Sequence, residues 1–183
     1  MTSDKKRDYP AHLIEDFAFA DGTPVRIRPI RADDLASHAR FVGGLSFETG
    51  YARLLSPRKP QPDELRRMTD IDYDAELALV ATVVQGGVEQ EIGVARFVKS
   101  ETSDAEVGSA EFGIVIADAW QRRGLAEKLM RSLIAAAAGA GVRVLSDITL
   151  YDNRAMLGLA RKLGFRLRRD PGNPNLTRLT LWL

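Results

Sequence analysis

The segment Ala117-Asp118-Ala119-Trp120-Gln121-Arg122-Arg123-Gly124-Leu125-Ala126 decides how the chain is read. Before it, Ala110 to Ile116 alternates as a strand does. After it, Leu125, Leu129 and Leu133 recur every four residues, with Ala136 or Ala137 continuing the stripe, which is the core face of a helix. A loop that joins a strand to a helix start presents unpaired N–H groups and the positive end of the helix dipole, a setting that favours anions. Gly124 and Ala126 keep the side chains small enough for a pyrophosphate to approach the backbone, and Arg122 and Arg123 add positive charge. A routine helix start would use the same residues, so the physical reading leaves both open. No G-x-x-x-x-G-K-[ST] or G-x-G-x-x-G spacing occurs, which sets aside the P-loop and Rossmann classes.

Outward from this segment the chain alternates between strand and helix signals. Leu13 to Ile30 reads as a hairpin turning at Asp21-Gly22. A helix from Asp33-Asp34 to Val42 ends at Gly43-Gly44, and short helices are expected near Tyr51–Leu55 and Asp63–Thr69. Glu76–Val84 is apolar almost throughout, as in a strand covered on both faces. Ile92–Val98 and Glu106–Ile116 extend an antiparallel meander. Val142–Leu150, Phe165–Arg168 and Leu176–Leu183 complete the strands, and Asn153–Leu163 forms a helix closed by Gly164. The reading is an α/β (α+β) fold, a mixed, mainly antiparallel sheet of six to seven strands flanked by helices. Residues 1–12 read as a loose tail and 13–183 as one domain.

Composition narrows the chemistry. The 183 residues include no cysteine, which removes disulfides, thiolate metal sites and a cysteine nucleophile together. His12 and His38 stand far from any metal-ligand spacing, so no metal is expected. No apolar run is long enough to span a bilayer and the polar start is no secretory signal, so a cytoplasmic location without membrane contact is the default expectation. The net charge of +1 gives no general attraction to nucleic acid, and the basic group Arg161, Lys162, Arg166, Arg168 and Arg169 lacks interleaved aromatics beyond Phe165.

Two motifs carry a specific resemblance. Gln121-x-x-Gly124-x-Ala126, placed between strand and helix, resembles the acetyl-CoA signature of the GNAT superfamily of N-acetyltransferases. Asn153 to Phe165 resembles that superfamily's following helix with its Gly-Phe ending. The resemblance covers most of the chain and implies a V-shaped cleft between the fourth and fifth strands of the family fold. It further implies that backbone groups of Ile114, Val115 and Ile116 pair with the pantetheine of acetyl-CoA. The N–H groups of Arg122, Arg123, Gly124, Leu125, Ala126 and Glu127 would hold the pyrophosphate, with Gln121 completing the motif. Asn153 would face the pantetheine or the departing sulfur, or cap its helix, and Met156 belongs to the same helix.

Glu111 is the candidate catalytic residue. It is a carboxylate within an apolar strand, and partial burial would raise its pKa toward that of a useful base. An ion pair or simple exposure is the plain structural alternative; the resemblance favours a catalytic glutamate here. Gly113 is expected to leave open space on the same face for an acceptor, and the Val115 N–H to donate to the thioester oxygen. The family's proton-donating tyrosine is replaced by Ala160. Leu45–Arg53, Glu64–Asp74 and Leu77–Ala81 resemble the GNAT domain of bacterial protein lysine acetyltransferases, which implies a protein lysine as acceptor beside the alternative of a small amine. A non-catalytic acyl-CoA sensor is the rival from another class. Asp63, Glu64, Asp70, Asp72 and Asp74 would supply an acidic rim attractive to a cationic amine. Leu176–Leu183 is expected as an apolar edge strand through which a homodimer would form.

Overall fold

The computed structural model describes residues 8–55, 58–100 and 108–183. Eight strands among them form one sheet: β1 (Glu15–Ala18), β2 (Pro24–Pro29), β3 (Glu76–Gln85), β4 (Val88–Lys99), β5 (Ser109–Ile116), β6 (Val144–Leu150), β7 (Arg166–Arg169) and β8 (Leu176–Trp182). The helices are α1 (Leu35–Gly43), α2 (Phe47–Leu54), α3 (Pro62–Thr69), α4 (Leu125–Gly139) and α5 (Arg154–Lys162). Strand order is β1-β2-β3-β4-β5-β6-β8-β7, one strand more than the upper expectation, because both arms of the first hairpin join the sheet. Residues 1–7 of the expected tail and residues 106 and 107 of the expected third strand of the meander lie outside the described residues. Tyr9, also in the expected tail, packs edge-on against Tyr73, and its hydroxyl donates to Pro29 O at 3.1 Å.

Every pairing is antiparallel except β5 with β6. That exception follows from α4, which carries the chain over one face and returns it parallel to β5. Leu125, Leu129, Leu133, Ala136 and Ala137 are all buried, so the four-residue stripe is the packing face. They join Phe97, Phe112, Leu145 and Leu179 in the larger core. The opposite face carries a smaller core of Ile30, Phe41, Ile71, Ala78, Val80, Val94 and Val115 beneath α1. Burial on both faces explains why β3 reads as a continuous apolar run.

β8 is not an edge. It lies between β6 and β7, and the sheet's edges are β1 and β7. The apolar character of Leu176–Trp182 is that of an interior strand, which removes the edge argument for a homodimer.

A buried ion pair ties the second strand to the helical layer. Arg28 grips Asp34 through two parallel hydrogen bonds of 2.7 Å, and the Arg31 N–H donates to the same carboxylate at 2.8 Å. Burial pushes the Asp34 carboxyl up, but these donors outweigh it and hold it below the usual carboxylate range. Asp34→Ala leaves the buried guanidinium with Glu89 at 3.1 Å as its remaining carboxylate and is expected to cost about 2 kcal/mol near neutral pH. Because the native carboxyl is depressed, the difference from the wild type is present above the unfolded carboxylate pKa and shrinks as pH falls through the native value. Urea denaturation at pH 7 and below pH 4 measures both.

Candidate functional site

The site begins where two strands part. β5 pairs with β6 only at Ser109↔Val144, Ala110↔Leu145 and Glu111↔Ser146, whereas its pairing with β4 continues to Gly93↔Ile116. From Phe112 onward β5 has no neighbour on the β6 side, and a cleft of about 620 Å³ opens there. Backbone groups alternate along the strand. The Ser109 carbonyl and the Ala117 N–H bond to the β4 chain, while the Gly108 carbonyl accepts from Arg143 and Val144 at the β6 side. By this parity the polar groups of Ile114 and Ile116 face the cleft and those of Val115 face β4. The Val115 N–H is therefore committed to the ladder and is not the oxyanion donor expected from the sequence. The Ile114 N–H is the one that faces the cleft, and the Val115 side chain lines it.

At the mouth, Arg122 and Gly124 have φ of 61° and 84°. No hydrogen-bond partner among the described residues engages the N–H groups from Arg122 to Glu127, and the first bond of the helix is Lys128 N–H to Gly124 O at 3.2 Å. Free N–H groups at a helix start are what an anion cradle requires. Of the residues named from the sequence, Ile114, Val115, Ile116, Gln121, Arg122, Gly124, Ala126, Glu127, Asn153 and Met156 line the cleft. Two expected side chains do not. Leu125 is buried in the core, leaving only its backbone for a ligand, and Arg123 pairs with Asp21 at 2.9 Å while stacking over Phe19 and Trp120.

Gln121 and Asn153 have structural duties. The Gln121 amide donates to Ile116 O at 3.1 Å and Thr49 Oγ1 at 3.2 Å. Asn153 Oδ1 caps α5 by accepting the Met156 N–H, and Nδ2 donates to Thr149 Oγ1. Asp118 accepts from the Ser46 N–H, the Ser46 hydroxyl and the Thr49 hydroxyl, which fixes the first turn of α2 to the cradle loop. Ala160 is buried in the core, so no side chain at that position reaches a leaving group.

The chemistry around Glu111 departs from expectation. Glu111 is exposed on the last paired rung and does not line the cleft, so the desolvation invoked for it is absent. The partly buried carboxylate of the cleft is Asp147, one residue past Glu111's partner Ser146. Burial pushes Asp147 up to about 6; the Ile148 N–H and Arg53 oppose this and Glu111 adds to it. The space over Gly113 is also taken. A Cβ there would lie 2.2 Å from Arg53 Nη2, so the guanidinium covers the glycine. Sequence reasoning does not single out Asp147, although a lone carboxylate in Leu145-Ser146-Asp147-Ile148 is the same signal that marks Glu111.

A second cavity of about 270 Å³ adjoins the first behind Val115 and Arg53. Its apolar walls include Val42, Leu45, Met68 and Val94, and its charged lining is Arg53, Arg58, Lys59 and Arg96. Among the described residues no carboxylate lines it. Asp63, Glu64, Asp70, Asp72 and Asp74 line neither cavity, so the expected acidic rim is not part of the site. Among the described residues no cluster of His, Asp or Glu could hold a metal ion, and no helix is long and apolar enough to cross a membrane.

Residues 25–166 match the family described as Acetyltransferase (GNAT) domain. An acetyltransferase of Pseudomonas aeruginosa is 37% identical over 161 residues, covering 87% of this chain and 83% of that protein. Acetyltransferase Pat of Mycolicibacterium smegmatis is 33% identical over 138 residues, 75% of this chain but 40% of that longer protein. The crystal structure of the GNAT domain of S. lividans PAT superposes with a TM-score of 0.84 at 28% identity, covering 96% of this chain and all of that one.

Asp147 generates a stability prediction. Its native pKa lies above the ordinary carboxylate value of 3.8, so the folded state binds the proton more tightly than the unfolded chain. Stability is therefore lost as pH rises through the interval from about 4 to about 6. Asp147→Asn removes this titration and is expected to be roughly 2–3 kcal/mol more stable than the wild type at pH 8, with no gain at pH 4. Urea denaturation at the two pH values checks it; equal stability at pH 8 contradicts a desolvated carboxylate.

Proposed function

The chain belongs to the GNAT acetyltransferase family, and from that premise we propose that it transfers acetyl from acetyl-CoA directly to an amine. The observation that carries the reading is the stretch Phe112–Ile116, which has no strand on its β6 side, followed after a short turn by the N–H groups of Arg122–Glu127, which have no partner among the described residues. An extended pantetheine would lie along Ile114 and Ile116 as the missing strand, and the pyrophosphate would rest in the cradle. The Ile114 N–H would polarise the thioester carbonyl. The neutral amine attacks the carbonyl carbon, the C–N bond forms as the C–S bond breaks, and CoA leaves as a thiolate that water protonates. In this proposal Glu111 accepts the amine proton, directly or through a water. A second reading gives that proton to Asp147, which lines the cleft and has a pKa of about 6, suited to a base near neutrality.

The family resemblance of the region 45–81 supports a protein lysine as acceptor. The cation-lined cavity favours a small amine that carries its own acid group, since a lysine ammonium entering it would meet like charge. A cytoplasmic location is part of the same proposal.

Calorimetry with acetyl-CoA, CoA and ATP tests the donor site; binding of both CoA species in the micromolar range without ATP is expected, and no binding of either would defeat the reading. For the base, Glu111→Gln is expected to lower kcat about 100-fold while acetyl-CoA affinity stays within twofold. A larger loss in Asp147→Asn, with disappearance of an acid limb near pH 6, would move the role to Asp147.

A further inference from the structure

The cavity behind Val115 is unusual in its charge. Cations withdrawn from water are ordinarily matched by carboxylates. Here the partly buried Arg53 and Arg96 and the exposed Arg58 and Lys59 line the space, and among the described residues no Asp or Glu lines it. Arg58 is held at Glu64, and Lys59 donates to Gly43 O at 3.0 Å. The two deeper guanidiniums are poorly matched. A guanidinium has five N–H donors. Arg96 uses one on Met68 O at 2.8 Å, has Glu76 at 3.5 Å, and leaves its buried Nε without a partner among the described residues. Arg53 makes no hydrogen bond to a described residue and is matched only at a distance, by Asp147 in the neighbouring cleft.

Their position matters as much as their charge. Arg96 stands directly across the ladder from Gly113, and Arg53 covers Gly113 from α2. Both guanidiniums therefore lie beside the strand segment that borders the transfer site. Two planar forks in an apolar enclosure suit an oxyanion with two acceptor atoms. The walls of Val42, Leu45, Met68 and Val94 suit a short apolar body, and about 270 Å³ limits it to a small one.

We propose that this cavity is a carboxylate subsite of the transfer reaction, taking an acid group borne on a short apolar chain by one of the two reactants. The carboxylate would lie between Arg53 and Arg96, supplying the counter-charge that the lining lacks. The acceptor amine is one source of the group, as in an apolar amino acid; the acyl chain of a dicarboxylic acyl-CoA is the other. The inference rests on the transfer reading above and specifies the substrate class of that same site.

The test uses the intact protein and matched ligands. With the protein saturated in CoA, calorimetry compares N-acetyl-leucine with N-acetyl-leucinamide, which differ only in the acid group. A parallel series compares succinyl-CoA with butyryl-CoA. At least tenfold tighter binding of the acid is expected in one series, as for hydrogen bonds to a charged group. Preference in the first series assigns the carboxylate to the acceptor, and preference in the second assigns it to the acyl donor. Arg96→Met is expected to reduce the preference to less than threefold; if that variant does not fold, the wild-type comparison still decides. Equal binding of acid and neutral partner in both series overturns the proposal. Acid preference without acetyl transfer to any amine would retain the carboxylate site and refute the transfer reading, so the two failures are distinguishable.

Discussion

Everything functional in this protein depends on three rungs of parallel pairing between β5 and β6, after which the strands part. Had the ladder continued, Ile114 and Ile116 would spend their backbone groups on β6 and no cleft would exist. The split survives because each strand is held from its other side, β5 by β4 and β6 by β8, so neither needs the missing contact to remain in the sheet. Exposed backbone at the centre of a sheet is costly when buried without partners, and an extended ligand with alternating donors and acceptors is its natural complement.

Much of this was legible in the sequence, because period and punctuation are local signals. The stripe Leu125, Leu129 and Leu133 needs only helix geometry to be read, and the continuous run of β3 needs only two covered faces. The cradle was legible for the same reason, since Gly124 and the residues around it are contiguous. What escaped was decided by neighbours distant in sequence. The burial of Asp147 and the exposure of Glu111 depend on where β6 leaves β5, a matter of register that no alternation pattern encodes. The filling of the space over Gly113 depends on Arg53, sixty residues earlier and on another layer. The interior place of β8 was hidden because an apolar strand looks alike at an edge and between two partners.

The acidic residues of the region 43–75 teach a related lesson. Their number suggested a site of negative potential, but composition does not say which way a helix turns. α3 sets Glu64 against Arg58 and the Gln61 N–H, so the acid does not itself line the cavity, while the same region contributes Arg53, Arg58 and Lys59 to the lining. Net charge near zero thus conceals a site whose local sign is opposite to that of the segment's acidic residues.

The Asp118 latch has a thermodynamic meaning. One carboxylate, three residues ahead of Gln121, holds Ser46 and Thr49 at the start of α2, and α2 carries Arg53 at its other end, over Gly113. One carboxylate thus joins the loop before α4 to the helix that carries the guanidinium. A ligand that ordered the loop would then also order Arg53, and linkage would make any gain in affinity the same in both directions.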